Sequence, residues 1–289
     1  IKNWKEVEDG AWGIRPIAIG NAHDRAIERA RIISIKKDMG NHFQADPLLG
    51  QFALGSKKGT EAVIMCQRVH QERFPEHNLE ACDGTNAFNV ISRDKVGEGI
   101  LSSDSEKIKR LYPYYVMGHR KHGLIYVKGE MMAPLRSKAG LRQGNPFAVA
   151  GYCFGQHLML QRMVQNLVEN KQIVMDPNNI QMRIASIVDD ISMQGTTENL
   201  SAAHQWLETE GPKWGYLLNK KPQKTLVVYG KNLAKKVAEQ EGERQRKEEE
   251  ETEAEVEAEV EAEAEGEGGG EKAEGEAQGA VSYTHLTLP

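Results

Sequence analysis

Two aspartates stand side by side in SIVDDISMQG, residues Ser186–Gly195. Asp189 and Asp190 follow Ile184, Ile187 and Val188 and precede Ile191 and Met193. Adjacent carboxylates among apolar residues repel and desolvate each other, and they cost free energy unless a cation neutralises them. The plainer alternative is a tight turn with a wet tip, because Asp favours turns. At a β-turn the two side chains would diverge, with Asp189 facing the site more directly. A third carboxylate, Asp83 in ACDGTNAFN, ends an apolar strand pattern and precedes a helix pattern. Taken singly it reads as a helix N-cap. Beside the Asp pair it would complete an oxygen-rich site of the kind that suits Mg2+, a hard cation that keeps waters and bridges phosphates.

Two further segments carry chemistry. Gly140–Phe147, GLRQGNPF, places two glycines, Gln143 and Pro146 before a long helical pattern. Glycine lets backbone approach a ligand closely, although a plain loop with a helix-start proline reads the same way. Gly215–Thr225, GYLLNKKPQKT, is an apolar strand, a turn and a lysine cluster. Such clusters are commonly solvated surface, but Lys224 directly precedes the strand pattern Leu226–Tyr229 and is therefore held in place.

The elements that must position these residues alternate between helix and strand. Helical spacing covers Asp24–Lys37, Gly59–Arg73 after the loop Gly55–Gly59, Asn86–Lys95, Phe147–Asn170 and Asn199–Glu210. Ser102–Arg110 is another helix, with Ser102–Ser103 available as N-cap. Asn78–Cys82, Gly123–Val127 and Thr225–Tyr229 read as strands. Gln181–Ile187 and Ile191–Gln194 read as hairpin arms around the Asp pair. No internal repeat is evident, and an α+β layered domain follows.

In this order the segments resemble the palm and fingers of a reverse transcriptase of the kind carried by non-LTR retrotransposons. The likeness runs from about Trp12 to Tyr229. RPIAIG (Arg15–Gly20) is similar to the first fingers strand, and QFALGSKKGTEAVI (Gln51–Ile64) to the lead into the fingers helix. DGTNAFNVISR (Asp83–Arg93), SKAGLRQGNPF (Ser137–Phe147), SIVDDISMQG and LLNKKPQKT (Leu217–Thr225) resemble four palm motifs. Their spacing agrees as well: 60 positions from Asp83 to Gln143, 46 to Asp189 and 35 to Lys224.

The resemblance implies a right-hand polymerase fold, with an antiparallel palm sheet backed by helices. Residues 1–75 would be fingers-like and 76–230 palm, part of 96–135 belonging with the fingers. No thumb is expected after 230. Asp83 and Asp189 would hold two Mg2+ ions (Mn2+ being the substitute), with a backbone oxygen from Gly84 and Asp190 in support. Such a pair stabilises in-line displacement, the ions lying about 3.5–4 Å apart. Arg15 would contact the triphosphate, because forked guanidinium donors suit phosphate oxygens. Gln143 and Gly144 would touch nucleotide and template, and Lys224 would protonate the departing pyrophosphate. Phe88, five positions after Asp83, would lie under the sugar and exclude a 2′-hydroxyl; its alternative is a core residue beside Ile91. The partners implied are an RNA template, a DNA primer and deoxynucleoside triphosphates, with a nuclear stage.

Some positions depart from the family pattern. Ile187 replaces an aromatic residue, Asn145 stands where Asp is common, and the lysine lies further than usual from Asn219. Two other classes stay open: an RNA-directed RNA polymerase, and an inactive remnant that only binds nucleic acid. Phe88 and the lack of a glycine immediately before Asp189 speak against the first of these.

Charge is unevenly spread over the 289 residues. Residues 240–279 hold 17 Glu and 4 Lys/Arg, a balance of −13, which leaves 25 acids and 33 bases elsewhere, a balance of +8. A basic body suits a nucleic-acid partner. The acidic stretch 231–279 is low in large apolar residues and is expected to be disordered. AVSYTHLTLP (Ala280–Pro289) breaks composition abruptly and is expected to be a translated sequencing adapter. The chain opens on Ile1 and is expected to be a fragment. Cys66, Cys82 and Cys153 are widely spaced without a C-x-x-C, which disfavours a disulfide framework or zinc ribbon and favours buried thiols in a reducing compartment. No apolar run reaches membrane-spanning length.

Overall fold

The computed structural model describes residues 20–120, 139–173, 182–221 and 224–231, together with backbone elements at 5–6, 12–13, 123–127, 130–135, 175–176 and 179–180 and single positions at 235, 242, 244 and 246. Arg15, most of the acidic stretch and all of 280–289 lie outside the described residues. The chain divides into two compact units, Ile1–Ala234 and Lys235–Pro289.

The first unit opens with two strands, β1 (Lys5–Glu6) and β2 (Trp12–Gly13), which pair antiparallel. Helices α1 (Ala22–Ser34) and α2 (Lys36–Phe43) come next. The periodicity predicts one helix over Asp24–Lys37, but Ile35 leaves helical geometry at φ −110° and splits it. β3 (Leu49–Gln51), α3 (Gly59–Arg73) and β4 (Asn78–Cys82) follow. The helix expected over Asn86–Lys95 is broken into α4 (Ala87–Val90) and α5 (Arg93–Leu101). The break suits Ser92, whose hydroxyl caps α5 by accepting from the Lys95 N–H. α6 (Glu106–Lys109) starts at Ser105 rather than at Ser102–Ser103, because Ser102 is already the C-cap of α5. α7 (Tyr112–Arg120), the pair β5 (Gly123–Val127) and β6 (Glu130–Leu135), α8 (Pro146–Glu169) and the short pair β7 (Met175–Asp176) and β8 (Asn179–Ile180) lead to β9 (Met182–Ile187) and β10 (Asp190–Gly195). α9 (Thr197–Thr209), α10 (Gly211–Trp214) and β11 (Thr225–Val228) complete the unit.

Five strands form one sheet in the order β11-β4-β10-β9-β3. All neighbours are antiparallel except β3, which joins β9 in parallel. The sheet is backed by helices, so the architecture is α+β. β3 has no sequence signal, because a three-residue LGQ is too short to show a period of two.

α8 is the axis of the packing. Its first half is largely apolar and is buried at every position from Ala150 to Leu160, as expected of a helix enclosed by protein. Phe154 packs with Met39, Phe43, Val96 and Ile100 in one core cluster, while Met159 and Leu160 pack with Ile184, Ile191 and Met193 of the sheet in another. α5 crosses α8 at two glycines. A Cβ on Gly99 would meet the Phe154 carbonyl oxygen at 2.4 Å, and one on Gly155 would meet Ile91 and Val96 methyls at 2.9 Å. Among the described residues no helix is long and apolar enough to cross a membrane.

Gly99→Ala is therefore expected to destabilise the fold by about 1–3 kcal/mol through overpacking against backbone that cannot yield. A lower urea midpoint at unchanged denaturant slope is the readout.

Candidate active site

Strand register builds the site. Cys82 lies opposite Ile191 on one side and Thr225 on the other. One step further along the antiparallel ladder brings Asp83 beside Asp190 and Lys224. The contacts agree: Lys224 Nζ lies 3.0 Å from Asp83 Oδ2, and Asn219 Nδ2 donates to the same oxygen at 3.3 Å. Asn219 also fixes the backbone, its N–H donating to the Asp83 carbonyl at 2.9 Å. Asp83 does not cap α4; Asn86 takes the N-cap position with φ +50°. The reading of Asp83 as a helix cap is thereby removed.

Asp83, Asp190 and Lys224 line a cleft of about 320 Å³ between the sheet and α3, with Ser192, Gln67 and Val63 among its walls. Asp190 is exposed at the cleft's edge, but partial desolvation there, then the charges of Asp189 and Asp83, push its carboxyl above the usual Asp range, while Lys224 pulls it back. Asp189 is half-buried and is not among the residues lining this cleft, so Asp190 rather than Asp189 faces it, contrary to the expectation from side-chain alternation; the Asp189 charge bears on Asp190 and on Tyr152 and Cys153 of α8. Tyr152 also feels Asp83, and Tyr216 feels Asp83, Asp189 and Asp190. The three acids from two distant stretches of chain thus gather at one end of the sheet.

The hairpin tip is displaced by one residue from the sequence expectation. Asp190 pairs with Ile187 inside the ladder, so the turn residues are Val188 and Asp189. Val188 has φ +56°, a conformation that β-branched residues rarely adopt. Strain of this kind persists only where surroundings over-determine it. Here the surroundings are two buried glutamines. Gln51 Oε1 accepts from Val188 N–H at 3.1 Å, and Gln51 Nε2 donates to the Val188 carbonyl at 3.2 Å. Gln51 Nε2 also donates to Gln156 Oε1 at 2.8 Å, and Gln156 Nε2 donates to the Asp189 carbonyl at 3.3 Å. Both glutamines are essentially inaccessible to solvent. Sequence reasoning passed over them. Their signal was a single amide in a segment whose neighbours are buried and apolar, most clearly at Gln156 in the first half of α8.

The remaining predicted residues fall around this centre. Gly84 is buried and bridges Leu218; the ladder bonds on either side, Thr85 N–H to Leu217 O and Asn219 N–H to Asp83 O, leave its own carbonyl out of that bridge. A Cβ at Gly84 would meet the Tyr216 ring at 3.0 Å. Phe88 is half-buried, its ring 5.0 Å from that of Tyr152, and it packs against the core cluster that contains Ile91. Gln143 is half-buried and Gly144 exposed with φ +98°. Their loop is tied to the Phe88 segment, with Leu141 N–H donating to Phe88 O at 2.5 Å and Gly140 N–H to Ile91 O at 3.0 Å. Asn145 caps α8 by accepting from the Phe147 N–H at 2.7 Å. Arg15 lies outside the described residues.

Oxygen donors dominate the centre, and the mutual repulsion of the carboxylates is relieved in this state by the Lys224 ammonium. This donor set fits a hard divalent cation: carboxylate oxygens favour Mg2+ or Mn2+, and a cation's charge would offset the like charges that raise Asp190.

No family model matches the chain, and no curated protein matches it. Among solved structures it is similar to apo telomerase from Candida tropicalis truncated from the C-terminal domain, with TM-score 0.46, 13% identity, 73% of this chain covered and 40% of that one. It is also similar to telomerase from Candida albicans in complex with a TWJ fragment of telomeric RNA, with TM-score 0.47, 15% identity, 72% of this chain and 35% of that one. The chain therefore spans between about a third and two fifths of those proteins' length.

Two outcomes are expected from the centre itself. Gln51→Ala strips Val188 N–H and O and the Gln156 amide of a buried partner, and should cost about 1–3 kcal/mol in chemical denaturation. Asp190→Asn should stabilise the metal-free protein at pH 7. A carboxyl raised in the fold holds its proton more tightly there than in the unfolded chain, so its ionisation erodes stability as pH rises from the ordinary Asp range towards the raised value. Urea midpoints at pH 7 and pH 4 should show the variant's advantage shrinking at the lower pH.

Proposed function

We propose that the chain is the polymerase core of an RNA-directed DNA polymerase, of the kind that non-LTR retrotransposons carry. It transfers a deoxynucleotide from its triphosphate to a primer 3′-hydroxyl on an RNA template. In this reading β4, β9, β10 and β11 with α8 and α9 are the palm, and the segment up to residue 75, whose β3 adds the edge strand, is fingers-like. The supporting observation is the gathering of Asp83, Asp189 and Asp190 at one end of adjacent strands, with Lys224 on Asp83.

Asp83 and Asp189, with the Gly84 carbonyl, would hold Mg2+, and Asp190 would tune the field beside them. Bound there, Mg2+ supplies charge neutralisation for the triphosphate and acidifies the primer hydroxyl. The protein's own part is placement. Gln51 and Gln156 hold the turn that carries Asp189, so its carboxylate needs no reorganisation at the moment of reaction. Lys224, 3.0 Å from Asp83 Oδ2, would stand as an ammonium beside the phosphates and would donate a proton to the leaving pyrophosphate. The Phe88 ring, backed by Tyr152, would stand under the sugar and bar a 2′-hydroxyl. The loop with Gln143 and Gly144, tied to the Phe88 segment, would face the base, and Arg15 would grip the triphosphate.

Primer extension on an RNA template with Mg2+ tests the reading. Wild type is expected to make DNA and Asp189→Ala to fall by at least about a thousandfold, as loss of a principal charge-stabilising group does. Phe88→Ala is expected to retain extension and to incorporate ribonucleotides more readily. DNA synthesis unaffected by Asp189→Ala would refute the assignment, and absence of any product from wild type would favour a remnant that only binds nucleic acid.

A further inference from the structure

The opposite face of the same sheet carries a second group of donors. Glu80 and Cys82 are two residues apart on β4, so both project to the face covered by α9. His204 of α9 reaches over them. Its Nδ1 lies 2.5 Å from Glu80 Oε1, and the Cys82 thiol donates to the same oxygen at 3.3 Å. The three donor atoms all lie within 4.8 Å of one another. Glu80 and Cys82 are buried, while the His204 side chain is 34% exposed and gives a path from solvent. Tyr216 belongs to the same core cluster as Cys82; it is 3% exposed, and its hydroxyl has no hydrogen-bond partner among the described residues.

An ion pair between Glu80 and His204 accounts for two of these residues. It does not account for a thiol brought to the same carboxylate oxygen, or for an orphaned hydroxyl buried in the same cluster. One sulfur, one imidazole nitrogen and one carboxylate oxygen form a mixed set that Zn2+ favours and Mg2+ does not.

We propose that Glu80, Cys82 and His204 form a Zn2+ site, with the fourth position of the tetrahedron left to a solvent ligand. On binding, the Cys82 thiol proton leaves to solvent as the sulfur coordinates as thiolate. His204 binds through Nδ1 and carries its remaining proton on Nε2. The site ties α9 to β4 one residue before Asp83 and on the other face from the carboxylate cleft. Hard and soft donors are thus kept apart by the thickness of one strand. Zn2+ binding here is independent of the polymerase reading.

Co2+ titration of the chelator-treated full chain, without nucleotide, is the test. With excess Mg2+ present to occupy the carboxylate centre, wild type is expected to develop a thiolate-to-cobalt charge-transfer band that saturates at one equivalent and that Zn2+ abolishes. Cys82→Ser should remove the band, and His204→Gln should weaken binding by at least about tenfold. Asp189→Asn, in the β9–β10 turn and outside the three donors, should leave the band unchanged. No band in wild type would show that Glu80 and His204 form a pair only, and a band that survives Cys82→Ser would place the bound thiolate at another cysteine; either result would overturn the proposal. Thermal unfolding covers the case of a variant that folds poorly. Micromolar Zn2+ should raise the wild-type midpoint and leave that of His204→Gln unmoved, and an equal rise in both would overturn the proposal.

Discussion

Carboxylates held together against their own repulsion are the constraint on which the molecule is organised. Asp83, Asp189 and Asp190 meet at the ends of β4 and β10, where partial desolvation and like charge already push Asp190 above its normal range. Nothing local to any one of these segments would hold them there. The antiparallel register does so, since pairing Cys82 with both Ile191 and Thr225 sets Asp83 level with Asp190 and Lys224. Slipping either strand by one residue would turn a carboxylate into the core and an isoleucine into the cleft. The burial of Cys82, Ile191 and Met193 against α8 and α9 therefore secures the site as well as the fold.

The turn between β9 and β10 shows how such an arrangement is made rigid. Val188 occupies a backbone conformation that its side chain resists. The amide of Gln51 satisfies both backbone groups of Val188, and Gln156 braces Gln51 and the carbonyl of Asp189. Each glutamine comes from a different element, β3 and α8, so the turn is held from two sides. Polar groups in a dry interior are costly unless fully bonded, and this pair is bonded through a closed network. The result is a carboxylate on a short hairpin with little freedom to move.

The two faces of the sheet separate two kinds of donor. Alternation along β4 sends Glu80 and Cys82 to one face, while Asp83 meets the cleft on the other. A hard all-oxygen centre and a mixed sulfur, nitrogen and oxygen centre can then lie within one strand of each other without competing for the same cation.

Much of this was legible in the residues. The helix over Gly59–Arg73 and the strand Asn78–Cys82 are local patterns, and the structure has them where periodicity puts them; the hairpin around the Asp pair is there too, with its tip one residue earlier than the pattern indicates. The helix break at Ile35 was not legible, since no proline, glycine or capping side chain marks it, whereas the one at Ile91–Ser92 had a local signal in the Ser92 cap that periodicity alone does not read. β3 was not legible either; it exists as a strand only because β9 offers it an edge. The sequence by itself determined that acids, glycines and a lysine recur in an order that could serve phosphate chemistry. Only the tertiary structure decided that Asp189 rather than Asp190 sits in the turn, that Lys224 pairs with Asp83, and that two glutamines hold the turn. Those outcomes depend on register and on contacts between residues more than a hundred positions apart, and no local pattern encodes them.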